Sequence, residues 1–184
     1  MLILLIGPKG SGKSHIGRTL EARFGVHFFH VEPLWLAYYA ECKASNREPV
    51  IAEGIAKVHP VLIRALEKHA HVCVETTGAS PEILAALLSL RSREETIVAR
   101  VSAPLEICLR RVSSRDQTHQ IPMEMESVRK VHGLSESLQL RSDITLNNVA
   151  LTDSEIAELF ESALTVSCTG PALTGKARAH GPVN

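Results

Sequence analysis

Apolar residues come in short uninterrupted runs, and these alternate with stretches of helical spacing. LILLI (2–6) is a continuous run of the kind a strand buried on both faces requires. After a glycine-rich turn, Ile16, Leu20 and Phe24 recur at helical spacing, and Gly25 stands where a C-cap would end the helix. VHFFHV (26–31) predicts a second strand. Residues 32–70 predict a mostly helical region, broken near 46–49 and at Pro60. HVCVE (71–75) is a third strand; Ser80 then caps a helix that has Pro81 in its first turn and Ile83, Leu84, Leu87 and Leu88 on its buried stripe. TIVARV (96–101) is a fourth strand. Pro104 opens a helix with Leu105, Cys108, Leu109 and Val112 on one face. SSRDQTHQIP (113–122) is polar and loop-like, and Pro122 starts a further helix reaching about Leu140. DITLN (143–147) is a fifth strand. Thr152 and Glu155 form a capping box ahead of Ile156, Leu159, Phe160 and Ala163.

Strands and helices therefore alternate five times, which predicts a parallel sheet covered by helices on both faces. The length of 184 residues fits one sizeable core. We expect a single domain over residues 1–165 and a flexible tail over 166–184, where small residues, Gly and Pro dominate and no periodicity survives.

Charge and cysteine content narrow the function classes. Acidic and basic residues balance at twenty each, which argues against a broad electrostatic surface for nucleic acid or membrane. Cys42, Cys73, Cys108 and Cys168 are scattered without CxxC spacing. They read as reduced thiols, Cys73 and Cys108 as buried ones, and a cytoplasmic setting fits. MLILLI has neither the charged leader nor the length of a signal peptide, and no apolar run is long enough to span a bilayer.

The chemistry begins at GPKGSGKS (7–14), which matches GxxxxGK[ST] in full and sits between a predicted strand and a predicted helix. Glycines let the backbone curl so that several N–H groups point inward at an anion, and the helix dipole adds to the attraction. Lys13 would reach the β- and γ-phosphates, and the Ser14 hydroxyl would ligate Mg²⁺. Gly7, Lys9, Gly10, Ser11, Gly12, Lys13, Ser14 and His15 are thus the expected nucleotide contacts.

Two carboxylates follow predicted strands, Glu75 after HVCV and Glu32 after FFHV, and the carboxyl ends of parallel strands face the ligand crevice. Glu75 is assigned to the metal side. Glu32 is assigned as the base that accepts an acceptor hydroxyl's proton. Arg110, Arg111 and Arg115 flank the polar loop, and Arg111 and Arg115 are the expected clamps on migrating phosphate charge or on the nucleotide. Trp35 and Tyr39 share a helix face near Glu32 and can wall an acceptor pocket. His69 and His71 precede a strand and read as structural.

The chain resembles the small P-loop kinases of the shikimate kinase and nucleoside-monophosphate kinase group. The resemblance rests on GPKGSGKS, on IGRTLEARFGVHFFHVE (16–32) and on DITLNNVALTDSEIAELF (143–160), and it covers about residues 1–165. It implies a three-layer α/β/α P-loop NTPase fold with a five-stranded parallel sheet of order 2-3-1-4-5. It also implies ATP with Mg²⁺, a lid over about 113–121 carrying Arg115, and an adenine-side loop around Asn148. The chain departs from shikimate kinases in carrying His30 and Glu32 where they have an acid pair, and in retaining only Gly78 of the glycine triplet after the third strand. By that match Gly78 would border the acceptor. The Phe-Arg pair that would hold the shikimate carboxylate has no counterpart. The departures count against shikimate itself.

Two functions compete at this level. One is a small-molecule kinase that transfers the γ-phosphoryl group of ATP to a hydroxyl. The other is a nucleotide-binding switch or slow ATPase whose output is read by a protein partner.

Overall fold

The structure, a computed structural model, describes residues 1–92, 94–114, 121 and 123–167. Five strands alternate with seven α-helices among these residues. In chain order they are β1 (Leu2–Ile6), α1 (Lys13–Phe24), β2 (His27–Phe29), α2 (Glu32–Ala44), α3 (Ile51–Lys68), β3 (Val72–Thr76), α4 (Pro81–Leu88), β4 (Thr96–Ser102), α5 (Leu105–Ser113), α6 (Met125–Glu136), β5 (Ile144–Asn147) and α7 (Asp153–Ser167). A short 3-10 turn, Ser89–Ser92, follows α4. Every strand pairing is parallel, in the order β2-β3-β1-β4-β5, as the resemblance implied.

β1 lies at the centre, and its unbroken apolar run is the reason. All five residues are buried, and each has partners on both sides; Leu4, for example, lies between Val74 and Val98. Alternate side chains feed two separate cores. Leu2, Leu4 and Ile6 face a layer built from Tyr38, Leu62 and Leu87 on α2, α3 and α4. Ile3 and Leu5 face Ile16 and Leu20 of α1 with Ile156 and Phe160 of α7. Burying each such leucine or isoleucine contributes about 1.5–3 kcal/mol. The central strand therefore fixes both layers at once, and its carboxyl end fixes where the glycine loop emerges.

The local signals hold in several places. Gly25 caps α1 at φ 66°, and the Ser80 hydroxyl accepts from the Ile83 amide at 3.3 Å. The Thr152–Glu155 box closes reciprocally, at 2.8 Å from the Thr152 amide and 3.3 Å from the Glu155 amide. Cys42, Cys73 and Cys108 are buried. Burial pushes the Cys73 thiol well up, with Glu75 and Glu21 adding to it, so it is inert as a nucleophile.

Other expectations need correction. α3 runs through Pro60 without a break. The carbonyl that loses its partner there belongs to Ala56, on the exposed side of the helix. α6 is shorter at both ends than the expected 122–140. Its carboxyl end is terminated by Arg100 of β4, whose guanidinium donates to the carbonyls of Ser135, Glu136 and Leu138 at 3.1, 2.6 and 2.6 Å. Leu159 is 42% exposed, so the α7 stripe is narrower than its spacing implied. α7 ends at Ser167, and residues 168–184, which make up most of the expected tail, lie outside the described set. No helix among the described residues is long and apolar enough to cross a membrane.

Candidate active site

The glycine loop leaves β1 and turns into α1. Gly10 and Gly12 stand at φ 87° and 97°, a region that side-chain-bearing residues rarely adopt. A Cβ at Gly10 would meet the Cys108 backbone, and one at Gly12 would meet the Asn148 amide. The α1 N-terminus therefore begins on Gly12 with no side-chain cap. The Ser11 hydroxyl is buried inside the loop with no hydrogen-bond partner. An uncapped helix start and an orphaned hydroxyl in a curled backbone fit a polyphosphate, which offers the acceptors these donors lack. Lys13 is 7% exposed, and its ammonium folds back onto the Gly7 and Pro8 carbonyls at 2.8 and 2.9 Å.

Ser14, in the first turn of α1, donates from its hydroxyl to both carboxylate oxygens of Glu75, at 2.9 and 3.1 Å. Glu75 lies in β3 opposite Leu5 of β1, so strand pairing places it beside the loop. A hydroxyl and a carboxylate at this separation are the hard oxygen donors that Mg²⁺ takes. No group of three or more His, Cys, Asp or Glu side chains suited to a metal occurs among the described residues.

A cleft of about 190 Å³ opens from the loop towards α2, α3 and α4. It is lined by Lys9, Gly10, Gly12, Lys13, Ser14 and Glu75 around the loop, and by Glu32, Trp35, His59, Thr77 and several aliphatic side chains. Glu32 opens α2 rather than ending a strand, because β2 stops at Phe29. Trp35, one turn on, is 5% exposed. Its benzo ring rests on the Cα of Gly54 in α3, where any Cβ would collide. Tyr38 and Tyr39 stand at 6.1 and 5.9 Å from the indole, tilted or edge-on. The Tyr38 hydroxyl donates to the Val50 carbonyl at 2.9 Å and accepts from the Val50 amide at 2.7 Å, pinning α2 to the start of α3. Gly78 is not part of the cleft wall. It turns the chain after β3 at φ 72°, against Leu138 and Ile6.

On the other side of the loop, Arg111 of α5 donates to the carbonyls of Asn148 and Val149, each at 2.9 Å, and to Gly10 at 3.4 Å. Asn148 is 3% exposed and donates from its side-chain amide to the Ser11 carbonyl at 2.8 Å. Together they fasten the loop after β5 to the phosphate loop. His15 turns outward to Asp153 of α7 at 3.1 Å. Arg115 and most of the expected lid lie outside the described residues. At the lid's far edge, the Ile121 carbonyl accepts from the Lys9 ammonium at 2.7 Å. His27 stacks on His69 at 4.0 Å, at the end of the sheet where β2 and β3 begin, away from the loop.

Sequence reasoning pointed to the segment EGIAKVHP (53–60) on the acceptor side but did not single out His59, Thr77 or the aliphatic side chains of the α3 wall. The signal for the wall was present as Ile55, Val58 and Leu62 at helical spacing, but such a stripe reads as core until another element leaves a gap beside it.

A five-stranded parallel sheet of this order, with a GxxxxGK[ST] loop after its central strand, defines the P-loop kinase fold. Residues 2–133 match the family model of the AAA domain, well over half of the sequence, and the chain belongs to that family. Among curated proteins, none matches it. Solved structures share its fold. Shikimate kinase from Aquifex aeolicus is similar at 21% identity and TM-score 0.52, over 92% of this chain and 100% of that one. The tunicamycin resistance protein of Deinococcus radiodurans is similar at 21% identity and TM-score 0.60, over 89% and 94%. A gluconokinase from Sinorhizobium meliloti is similar at 16% identity and TM-score 0.58, over 92% and 97%.

Proposed function

We propose that the chain is an ATP-dependent kinase that passes the γ-phosphoryl group to a hydroxyl of a small molecule held in the cleft. One arrangement carries the reading. The Ser14–Glu75 pair at the mouth of the glycine loop lines a cleft that also presents a second carboxylate, Glu32. A switch protein needs the first half of that arrangement and not the second.

In this reading the loop amides and Lys13 hold the polyphosphate. The Lys13 ammonium exchanges the Gly7 and Pro8 carbonyls for phosphate oxygens. Ser14 and Glu75 hold Mg²⁺, which neutralises charge on the phosphates when it is bound. Glu32 accepts the acceptor's hydroxyl proton as that oxygen bonds to the γ-phosphorus and the bond to the β-phosphate oxygen breaks, releasing ADP. Arg111 and Asn148 position the loop beside the nucleotide and need not touch phosphate. The similar structures of a shikimate kinase and a gluconokinase support the class of reaction, on fold alone.

The test is product formation from ATP across a panel of alcohols, followed by the Glu32→Gln variant on any acceptor found. We expect turnover to fall by about 10²–10⁴-fold while calorimetric ATP affinity is unchanged. Unchanged turnover would remove Glu32 as the base. Tight ATP binding with no phosphorylated product from any alcohol would overturn the kinase reading.

A further inference from the structure

The far end of the cleft has a chemical character that the kinase reading leaves open, and the inference below rests on that reading. Its walls come from four elements that pack on the same core: Phe29 at the end of β2, Trp35 on α2, Ile55, Val58 and Leu62 on α3, and Leu87 on α4. The charged groups lining the cleft are few. Two are acids, Glu32 and Glu75. The cations are Lys9 and Lys13, both in the phosphate loop and both donating to backbone carbonyls. His59 is the one titratable side chain of the α3 wall, and no arginine lines the cleft among the described residues.

These observations separate acceptor classes. A carboxylate taken out of water needs a cation and hydrogen-bond donors to replace its hydration, and a guanidinium fork is the usual solution. Here a carboxylated acceptor would set its charge among aliphatic side chains and two glutamates. A polyol would strand most of its hydroxyls, since outside the phosphate loop and Glu75 the polar groups lining the cleft are few: Glu32, His59, Thr76 and Thr77. An apolar body bearing one or two hydroxyls meets neither cost, and Trp35, fixed on Gly54, gives it a rigid wall.

We infer that the acceptor is an uncharged alcohol with a compact apolar body, aromatic or alicyclic, and not a sugar acid or carboxylated polyol.

The experiment uses the full chain with ATP and Mg²⁺ and matched acceptors. Benzyl alcohol and cyclohexylmethanol are compared with the same skeletons carrying a ring carboxylate, and with shikimate and gluconate. Phosphorylated product gives kcat/KM, and thermal shift with ADP and Mg²⁺ gives binding independently of transfer. We expect the neutral alcohols to exceed their carboxylated twins at least tenfold in both measurements. The half-buried Ile55 changed to Arg should narrow or reverse that ratio with ATP affinity unchanged. The wild-type comparison stands by itself if that variant does not fold. Equal or better use of the carboxylated twins, of shikimate or of gluconate overturns the inference and leaves the kinase reading intact. Neutral alcohols that bind selectively but are never phosphorylated overturn the kinase reading and support the assigned character of the cleft. If no alcohol binds or reacts, both fall.

Discussion

The two ends of the cleft are built in opposite ways. The phosphate end comes from eight consecutive residues at the end of one strand, locked by hydrogen bonds from Arg111 and Asn148 and by backbone angles that only glycine adopts readily. The acceptor end comes from side chains between Phe29 and Leu87 on four elements, held by packing. The first end is specified by backbone conformation and hydrogen bonds, which tolerate little change at its positive-φ glycines. The second is specified by volume and shape, which tolerate exchange among apolar residues. One scaffold can therefore keep its phosphate chemistry fixed while its acceptor changes.

The sharpest way to break this comparison is Gly12→Ala. Its φ of 97° strains any side chain, and the new Cβ would push against the Asn148 amide that holds Ser11. Strain of this kind costs about 1–3 kcal/mol, and it falls on the loop that holds the polyphosphate. We expect ATP affinity by calorimetry to drop about 10–100-fold, the equivalent of that strain, while far-UV circular dichroism stays unchanged. ATP affinity equal to wild type would mean that the loop geometry is not what binds nucleotide.

At the acceptor end, Trp35→Ala removes a buried indole that lies on Gly54 and touches Tyr38 and Tyr39. A truncation of this size costs about 3–5 kcal/mol of stability, measured as a lowered denaturant midpoint. In the protein that remains folded, KM for the acceptor should rise while KM for ATP holds. Trp35→Phe keeps an aromatic wall and should recover most of both losses. A rise in KM for ATP alone would mean that the two ends are not separable.

The same contrast explains what could be read from the chain. The alternation of strands and helices and the phosphate loop were legible because both are local, while the sheet order came from the family resemblance. LILLI reads as a strand buried on both faces, and GPKGSGKS is contiguous. The Ser14–Glu75 pairing was within reach, since two motifs at the carboxyl ends of neighbouring strands must meet. The α3 wall, His59 and the exclusion of Gly78 from the cleft were not legible. Whether a helical stripe is core or pocket depends on the space left by α2 and α4, and that is a tertiary outcome. Pro60 misled for a related reason: the cost of a proline inside a helix can be met by tertiary packing of the apolar face, and that packing is not written at the position itself.

The smallest expected effect comes from the opposite end of the sheet, where neither site reaches. Burial holds the His27 imidazole below its ordinary range, with the stacked His69 adding to it, and burial followed by the Met1 ammonium does the same to His71. A histidine held low in the folded state takes up its proton more readily in the unfolded chain. Stability is therefore full above the unfolded pKa, near 6.5, and is lost as pH falls through that value towards the folded one. Glu53, Glu82 and Glu155 are held low by their own hydrogen bonds, so they contribute a separate loss only at more acidic pH. Melting temperature should therefore decline modestly between about pH 7.5 and 5.5, and His27→Gln with His71→Gln should flatten that decline while leaving ATP affinity as it was. A melting temperature that rises over the same interval would show that these imidazoles gain partners on folding, reversing the sign. A fall in ATP affinity in the double variant would tie this end of the sheet to the loop and dissolve the separation drawn above.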